Sequence, residues 1–359
     1  MQRRIKIESD RQLPARNGLA MTASLGVAVV GCGLIGRRRA SEAAADPRSR
    51  CVMVVDTDAA VAARVAAEVG AEPAEDWRPV LTRPDVGAVV VATPNGFLRD
   101  IAVASLDAGK HVLAEKPMGR TLAEAREMRQ AAERTRRVLK IGFNHRYHRA
   151  IAEARRRVAA GAIGALVNAR CRYGHGSRPG CEREWRASRE LAGGGELTDQ
   201  GVHVLDLLNW FFGAIPVSAF AWLQTAVWPL GELEDNAFGL LRYGSGAVAS
   251  LHASMTQWKN LFSLELFGTQ GALVMEGLGR SYGVETLTEV RRKPEGGVPD
   301  VETVRYEGDD PSWCLEWQDF LGGVLEGRPM LATPDDGVAA MRVLDALYRS
   351  ADSGAPANP

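Results

Sequence analysis

The sequence predicts an α/β domain built on a parallel sheet, followed by an α+β domain with a large, mostly antiparallel open sheet. Three observations carry this. A glycine-rich turn, Gly31-Cys32-Gly33-Leu34-Ile35-Gly36, sits between a short apolar run and an alanine-rich stretch. Short apolar runs then alternate with helical segments as far as Phe143, the pattern of βαβ units. Beyond Asn144 the chain turns to strand-like segments separated by hairpin signals such as Tyr243-Gly244-Ser245-Gly246, the pattern of an antiparallel sheet.

Taken in order, Gly26–Val30 is a buried strand, and the helix after the glycine turn runs to Ala45. Cys51–Val55 is a second strand and 58–69 is helical in composition. Val86–Pro94 is a third strand-like run, followed by a helix to Ala108. A fourth strand leads into Glu115-Lys116-Pro117. A helix over 122–134 and a strand over 138–143 close the series. A helix over 149–160 then leads to a strand over 165–175. The cluster Gly193-Gly194-Gly195 precedes a helix from Leu197 to Phe212. Strands follow within 219–228, 236–243, 247–256, 262–268 and 272–277, then helices over 312–326 and 335–350. This divides the chain into a loose extension (1–24), a nucleotide-binding domain (25–143), a substrate-binding and oligomerisation domain (144–352) and a tail (353–359). The last helix is free to pack back on the first domain.

Apolar residues make up 46% of the 359, and 44 basic residues balance 44 acidic ones. Global charge gives no pull toward nucleic acid or an anionic membrane. The basic runs at 155–157 and 291–293 read as solvated faces, whereas Arg37–Arg39 opens a phosphate-binding helix. Five scattered cysteines without a CxxC pair suit a reduced, cytoplasmic chain. No apolar run approaches the ~18 residues of a membrane span. The charged N-terminus lacks the apolar core of a secretory signal, and Met21 offers an alternative start.

The glycine turn has the context that gives GxGxxG meaning: a strand before, a helix after, and Asp56 20 positions beyond the last glycine. Gly31 permits the tight turn, Gly33 lets the backbone approach a pyrophosphate, and Gly36 lets helix and strand pack closely. The helix N-terminus presents free N–H groups to phosphate. An acid at Asp56 suits ribose hydroxyls and repels a 2′-phosphate, which favours NAD over NADP. Arg37 works in the opposite sense. Thr93-Pro94-Asn95-Gly96 ends the third strand at the sheet edge where ligands bind in such folds, or is an ordinary strand-ending turn.

Lys116 ends the fourth strand at that same edge, and Pro117 biases it toward extended geometry. It is either aimed into the crevice or a surface lysine before a turn. Glu115 points to the other side. Asp199 and His203, four apart at a helix start, fall on one face. The helix dipole favours an ionised Asp199, which could orient His203 and stabilise its protonated form. His203 could then act as general base. The same spacing would also serve a pair that only tethers the helix.

Gly31–Gly36, Asp56, Ala92–Asn95, Ala114–Pro117 and Gly193–His203 together resemble the Gfo/Idh/MocA oxidoreductases, in order and spacing over about residues 25–350. The resemblance implies a Rossmann domain followed by an open-sheet domain, an NAD(P) cofactor, and hydride transfer at a hydroxyl of a sugar, sugar derivative or cyclitol. It carries the catalytic lysine, aspartate and histidine to Lys116, Asp199 and His203. The cofactor would lie against Gly31, Gly33, Leu34, Ile35, Gly36, Asp56, Thr93, Pro94, Asn95, Glu115 and Lys116. Where many members have a histidine after the proline-asparagine turn, this chain has Leu98. Relatives that oxidise a sugar transiently give a redox-neutral alternative, and a non-catalytic nucleotide sensor is a third reading.

Arg146 follows the fifth strand where the family often shows an arginine, and is a candidate substrate contact. Trp185 and Arg186, in a segment rich in Arg, Glu and Trp, and His252, with Trp258 and Lys259, complete the candidate pocket. His145 and His148 lack the carboxylate or cysteine company of a metal site, so no metal is expected. The open sheet needs cover on its outer face, which predicts a homodimer or homotetramer.

Overall fold

The computed structural model describes residues 3–8 and 24–359, with side chains described from residue 24. The proposed start at Met21 lies outside the described residues. Residues 3–8, read from sequence as part of a loose extension, form strand β1 (Arg3–Glu8).

The first sheet has six parallel strands: β2 (Leu25–Val30), β3 (Ser49–Val55), β4 (Glu72–Ala74), β5 (Ala88–Val91), β6 (His111–Ala114) and β7 (Leu139–Ile141). Their spatial order is β4-β3-β2-β5-β6-β7. The chain winds outward from β2 through β3 to β4, then crosses to β5 and winds the other way. The crevice at the carboxyl ends of β2 and β5 is therefore the switch point at which such sheets bind ligands. Val27, Val29, Val89 and Val90 are fully buried, because helices cover both faces. These are α1 (Leu34–Ala45), α2 (Ala59–Val69), α3 (Asn95–Asp107) and α4 (Leu122–Thr135). Asp58 caps α2 by accepting the Ala60 and Val61 N–H groups, and Thr121 caps α4 through Glu124 N–H.

The second layer begins with α5 (Arg149–Ala159), β8 (Leu166–Gly174), the short α6 (Arg189–Ala192) and α7 (Val202–Phe212). Strands β9 (Ser218–Gln224), β10 (Asn236–Arg242), β11 (Val248–Ser254), β12 (Leu261–Gly268), β13 (Gly271–Glu276), β14 (Glu285–Arg291) and β15 (Asp300–Tyr306) follow. The nine-stranded sheet runs β1-β15-β14-β13-β12-β8-β11-β10-β9. Only the β1–β15 and β8–β11 pairs are parallel. Burial alternates along β11: Ala249, Leu251 and Ala253 are buried, while Val248, Ser250 and His252 point outward. Sequence reasoning missed β14 and β15. Their polar alternation leaves few strongly apolar residues, with Leu287 and Val304 turned to the core.

Two helices, α8 (Ser312–Glu326) and α9 (Pro334–Ser353), return to the first layer. Trp317, Phe320 and Leu321 of α8 share one apolar cluster with Val27, Val54 and Leu113 of the parallel sheet. A reciprocal capping box between Thr333 and Asp336 starts α9, which packs against α4, α7 and β9.

Arg146 belongs to this packing and not to a substrate pocket. Its guanidinium is buried, donating to both Asp206 oxygens at 2.9 and 2.5 Å and lying 3.0 Å from Asp336. It fastens the segment after β7 to α7 and α9. Buried Asp206 and half-buried Asp336 compete successfully for the fork, because a guanidinium matches a carboxylate bidentately and a buried charge is costly alone. Arg146→Met should therefore cost about 3–5 kcal/mol of stability by leaving Asp206 unpaired, and adding Asp206→Leu should recover much of it; urea unfolding midpoints read both effects.

Candidate active site

The glycine turn builds the floor of a large cleft. Gly31 has φ +91°, and a Cβ there would lie 2.5 Å from the Ala92 carbonyl oxygen. A Cβ on Gly36 would lie 1.7 Å from the Gly31 oxygen. A Cβ on Gly33 would meet nothing within 4 Å, so it faces open space. Gly33 caps α1 without any side-chain bond, and the first turn holds no acid. The N–H groups there are left to an anionic ligand. These features fit a dinucleotide pyrophosphate.

Asp56 ends β3 beside this turn. Its Oδ2 accepts from Cys32 N–H at 2.8 Å and its Oδ1 from Asp58 N–H at 3.0 Å. It thus shapes the turn while lining the cleft. Arg37 is drawn to Glu68, 2.6 Å away, so its guanidinium already has an anionic partner. Leu34, Ile35, Thr93, Pro94 and Asn95 line the same cleft. The Asn95 amide donates to the Ala192 carbonyl at 2.8 Å, tying the start of α3 to α6. Glu115 also reaches the cleft wall, but its carboxylate is engaged by buried Arg39 at 2.7 Å. Arg39 reaches Glu316 of α8 at 2.6 Å as well. Leu98 is fully buried in α3.

Lys116 lies in the cleft, joined to Pro117 by a cis peptide bond. Its ammonium donates to the Asp199 Oδ1 at 2.7 Å and to the Asp199 carbonyl at 2.6 Å. The other Asp199 oxygen accepts from Arg186 Nε at 2.8 Å. Burial pushes the Asp199 carboxyl up, but Lys116 and Arg186 outweigh it and hold the group well below its usual range.

This corrects the expected Asp199–His203 pair. Both oxygens of the acid are taken by cations, which compete better for a carboxylate than a neutral imidazole does. The turn Leu197–Gly201 is a π-type widening ahead of α7, so 197–212 is not one regular α-helix. The glycine cluster allows the approach: a Cβ on Gly194 would lie 2.1 Å from Thr198 Oγ1, and one on Gly195 2.2 Å from the Glu234 carbonyl oxygen.

His203 is buried among rings instead. It stacks on His145 with centroids 3.7 Å apart and planes at 15°, with Phe143 and Tyr173 edge-on. Its Nδ1 is buried without a partner. Burial, then Lys116, His148 and Arg39, push the His203 pKa well below its ordinary value. Burial, His203, His148 and Lys116 do the same to His145. Both rings are neutral at pH 7. His148 bonds Glu285 at 2.7 Å, and no cluster of three potential metal ligands occurs among the described residues.

Trp185 and Arg186 line the cleft, the guanidinium 4.4 Å from the indole centroid. His252 does not. It sits on the outer sheet face, stacked on Phe238 at 4.1 Å, because strand alternation turns it away from the core side. Trp258 is largely exposed and, like Lys259, is not part of the cleft wall. Sequence reasoning missed the His145 stack, Tyr173, Tyr282, Glu196 and Trp313, all in the cleft wall. The histidine directly after Asn144 was a usable signal for the stack; Trp313, contributed by α8, had none.

Comparison with known proteins agrees with this fold. Residues 25–143 match the oxidoreductase family with an NAD-binding Rossmann fold, and 151–274 match the GFO/IDH/MocA C-terminal domain. A 1,5-anhydro-D-fructose reductase of Ensifer adhaerens is 33% identical over 76% of this chain and 79% of its own. A levoglucosan dehydrogenase of Pseudarthrobacter phenanthrenivorans is 26% identical over 91% of this chain and 96% of its own. The crystal structure of GenD2 from gentamicin A biosynthesis, in complex with NAD, superposes with a TM-score of 0.83 at 30% identity. That match covers 96% of this chain and 99% of GenD2.

The depressed histidines make a pH prediction. An unfolded histidine binds a proton near pH 6.5, whereas the folded pair resists it until much lower pH. In that window the unfolded state holds more protons, so stability falls as pH drops below about 6.5, by at most about 1.4 kcal/mol per pH unit for each ring. Denaturation midpoints followed from pH 7.5 to 5 should show this loss, and a His145→Asn/His203→Asn variant should flatten it.

Proposed function

The chain belongs to the Gfo/Idh/MocA oxidoreductase family, and on that premise we propose that it moves a hydride between NAD and a secondary alcohol or ketone of a sugar, sugar derivative or cyclitol. The observation that carries this reading is the meeting of Lys116 and Asp199, from different layers, beside His203 in the cleft that holds the glycine turn. The names of relatives, a reductase of an anhydro-sugar and a dehydrogenase of levoglucosan, support the substrate class.

NAD, when bound, supplies the hydride acceptor. Gly31, Gly33 and the N-terminus of α1 would hold its pyrophosphate, and Asp56 the ribose. Lys116 has three N–H donors. Two are used on Asp199, which leaves the third for the reacting oxygen of the substrate. A fixed cation there stabilises the negative charge that develops as the hydroxyl loses its proton. Neutral His203 takes that proton through Nε2, since Nδ1 is buried. Asp199 acts on Lys116 by aiming it, and Trp185 with Arg186 covers the sugar side.

We further assign 25–143 to cofactor binding and 144–352 to substrate binding and assembly, in a cytoplasmic homodimer or homotetramer. The outer face of the nine-stranded sheet supports the assembly. Trp222, 65% exposed, Phe238 and His252 align across β9, β10 and β11, beside exposed Leu240 and Val248. Contiguous apolar surface of this kind marks an interface. Five cysteines, four of them buried, and no CxxC motif suit a reducing compartment. No helix among the described residues is long and apolar enough to cross a membrane.

Two measurements check these readings. NADH appearance over a panel of sugars and cyclitols should reveal a substrate, and Lys116→Ala should lower its kcat by about 10²–10³-fold with NADH binding intact; wild-type turnover by that variant would refute the role of Lys116. Trp222→Arg should shift the mass measured by light scattering toward the monomer, and an unchanged mass would move the interface elsewhere.

A further inference from the structure

The cleft contains a carboxyl that the chemistry above does not use. Glu196 lies three residues before Asp199, at the entrance to the π-type turn, and lines the cleft. It is 2% exposed, and its Oε1 is buried with no hydrogen-bond partner. A buried, unpaired carboxyl is costly to keep. Packing alone would be served better by an apolar residue.

The backbone that carries this side chain is clamped by Glu234. The Glu196 N–H donates to the Glu234 carbonyl at 3.0 Å. The Gly195 and Leu197 N–H groups on either side donate to the Glu234 carboxylate at 3.2 and 3.0 Å. Tyr348 donates to that carboxylate at 2.7 Å. Glu196 is thus clamped from both sides.

We propose that the Glu196 carboxyl binds a second hydroxyl of the substrate, on a carbon neighbouring the reacting one, and so selects vicinal diols over isolated alcohols. This rests on the hydride-transfer reading of the same cleft. Burial and then the Asp199 charge push the Glu196 pKa well above the usual carboxylate range, with Lys116 and Arg186 opposing. Both effects favour the protonated form, which has one O–H to donate and one carbonyl to accept. A sugar or cyclitol hydroxyl offers the complementary acceptor and donor. Proximity to the Lys116–Asp199 pair places the contact near the reacting carbon, and no proton need be exchanged there.

The test compares wild type, Glu196→Gln and Glu196→Leu on the best substrate of the panel and on its monodeoxy analogues. NADH binding, followed by fluorescence, verifies each fold. Glutamine keeps one donor and one acceptor, so Glu196→Gln should stay within about 5-fold of wild type in kcat/KM. Glu196→Leu should lose about 10- to 100-fold on the full polyol. On one deoxy analogue, the one lacking the recognised hydroxyl, leucine and wild type should differ by less than about 3-fold, because that contact is already absent. An equal loss on every analogue, no loss on the polyol, or failure of both variants to bind NADH would overturn the proposal. Wild-type protein that binds NADH yet oxidises no member of the panel would instead sink the hydride-transfer reading, and this inference with it.

Discussion

One carboxylate gathers two cations in the cleft, one from each layer. Asp199 takes Lys116 from the edge of the parallel sheet on one oxygen and Arg186 from the 177–190 segment on the other. Both bonds are charge-assisted, and the one to Lys116 is partly shielded from water, which strengthens it. Much of the local architecture follows from letting this acid reach its partners. The glycines at 194 and 195 remove the side chains that would collide with Thr198 and Glu234. The π-type turn carries Asp199 to the lysine and releases into a regular α7 only afterward.

Because Asp199 is committed to cations, the histidine next to it is supported by rings. The face-to-face stack of His145 and His203, walled by Phe143 and Tyr173, fixes the imidazole plane without a charged partner. The physical consequence is an imidazole that stays neutral because it is buried and lies near positive charge. An aspartate bonded to His203 would have pushed its affinity for a proton the other way. The same site therefore keeps a cation and a neutral imidazole close together, with the acid assigned to the cation.

Two buried arginines fasten the scaffold around this arrangement. Arg39, fully buried between Glu115 and Glu316, joins α1, the end of β6 and α8. Arg146 does the same for the segment after β7, α7 and α9. In both cases an arginine that looks functional in a string of residues is a buried fastener. Removing one partner strands a charge, so each knot resists piecemeal change even though its net worth over apolar packing is small.

Local pattern was enough for the glycine turn, the alternating strands and helices of the first layer, and the separate texture of the second. Each depends on residues within about one turn or one pleat of each other. The lysine before Pro117, the aspartate and the histidine stood out by family spacing, and the structure brings all three to one cleft. Partner choice was not. Whether Asp199 serves His203 or Lys116, whether Arg146 meets a substrate or Asp206, and which face of β11 carries His252 are settled by contacts between residues far apart in the chain. Charges and rings pair with whatever the packed fold brings within reach, and a buried ion takes the strongest available counter-ion. Sequence therefore determined which chemistry this protein possesses, and tertiary structure decided which group each part of it acts upon.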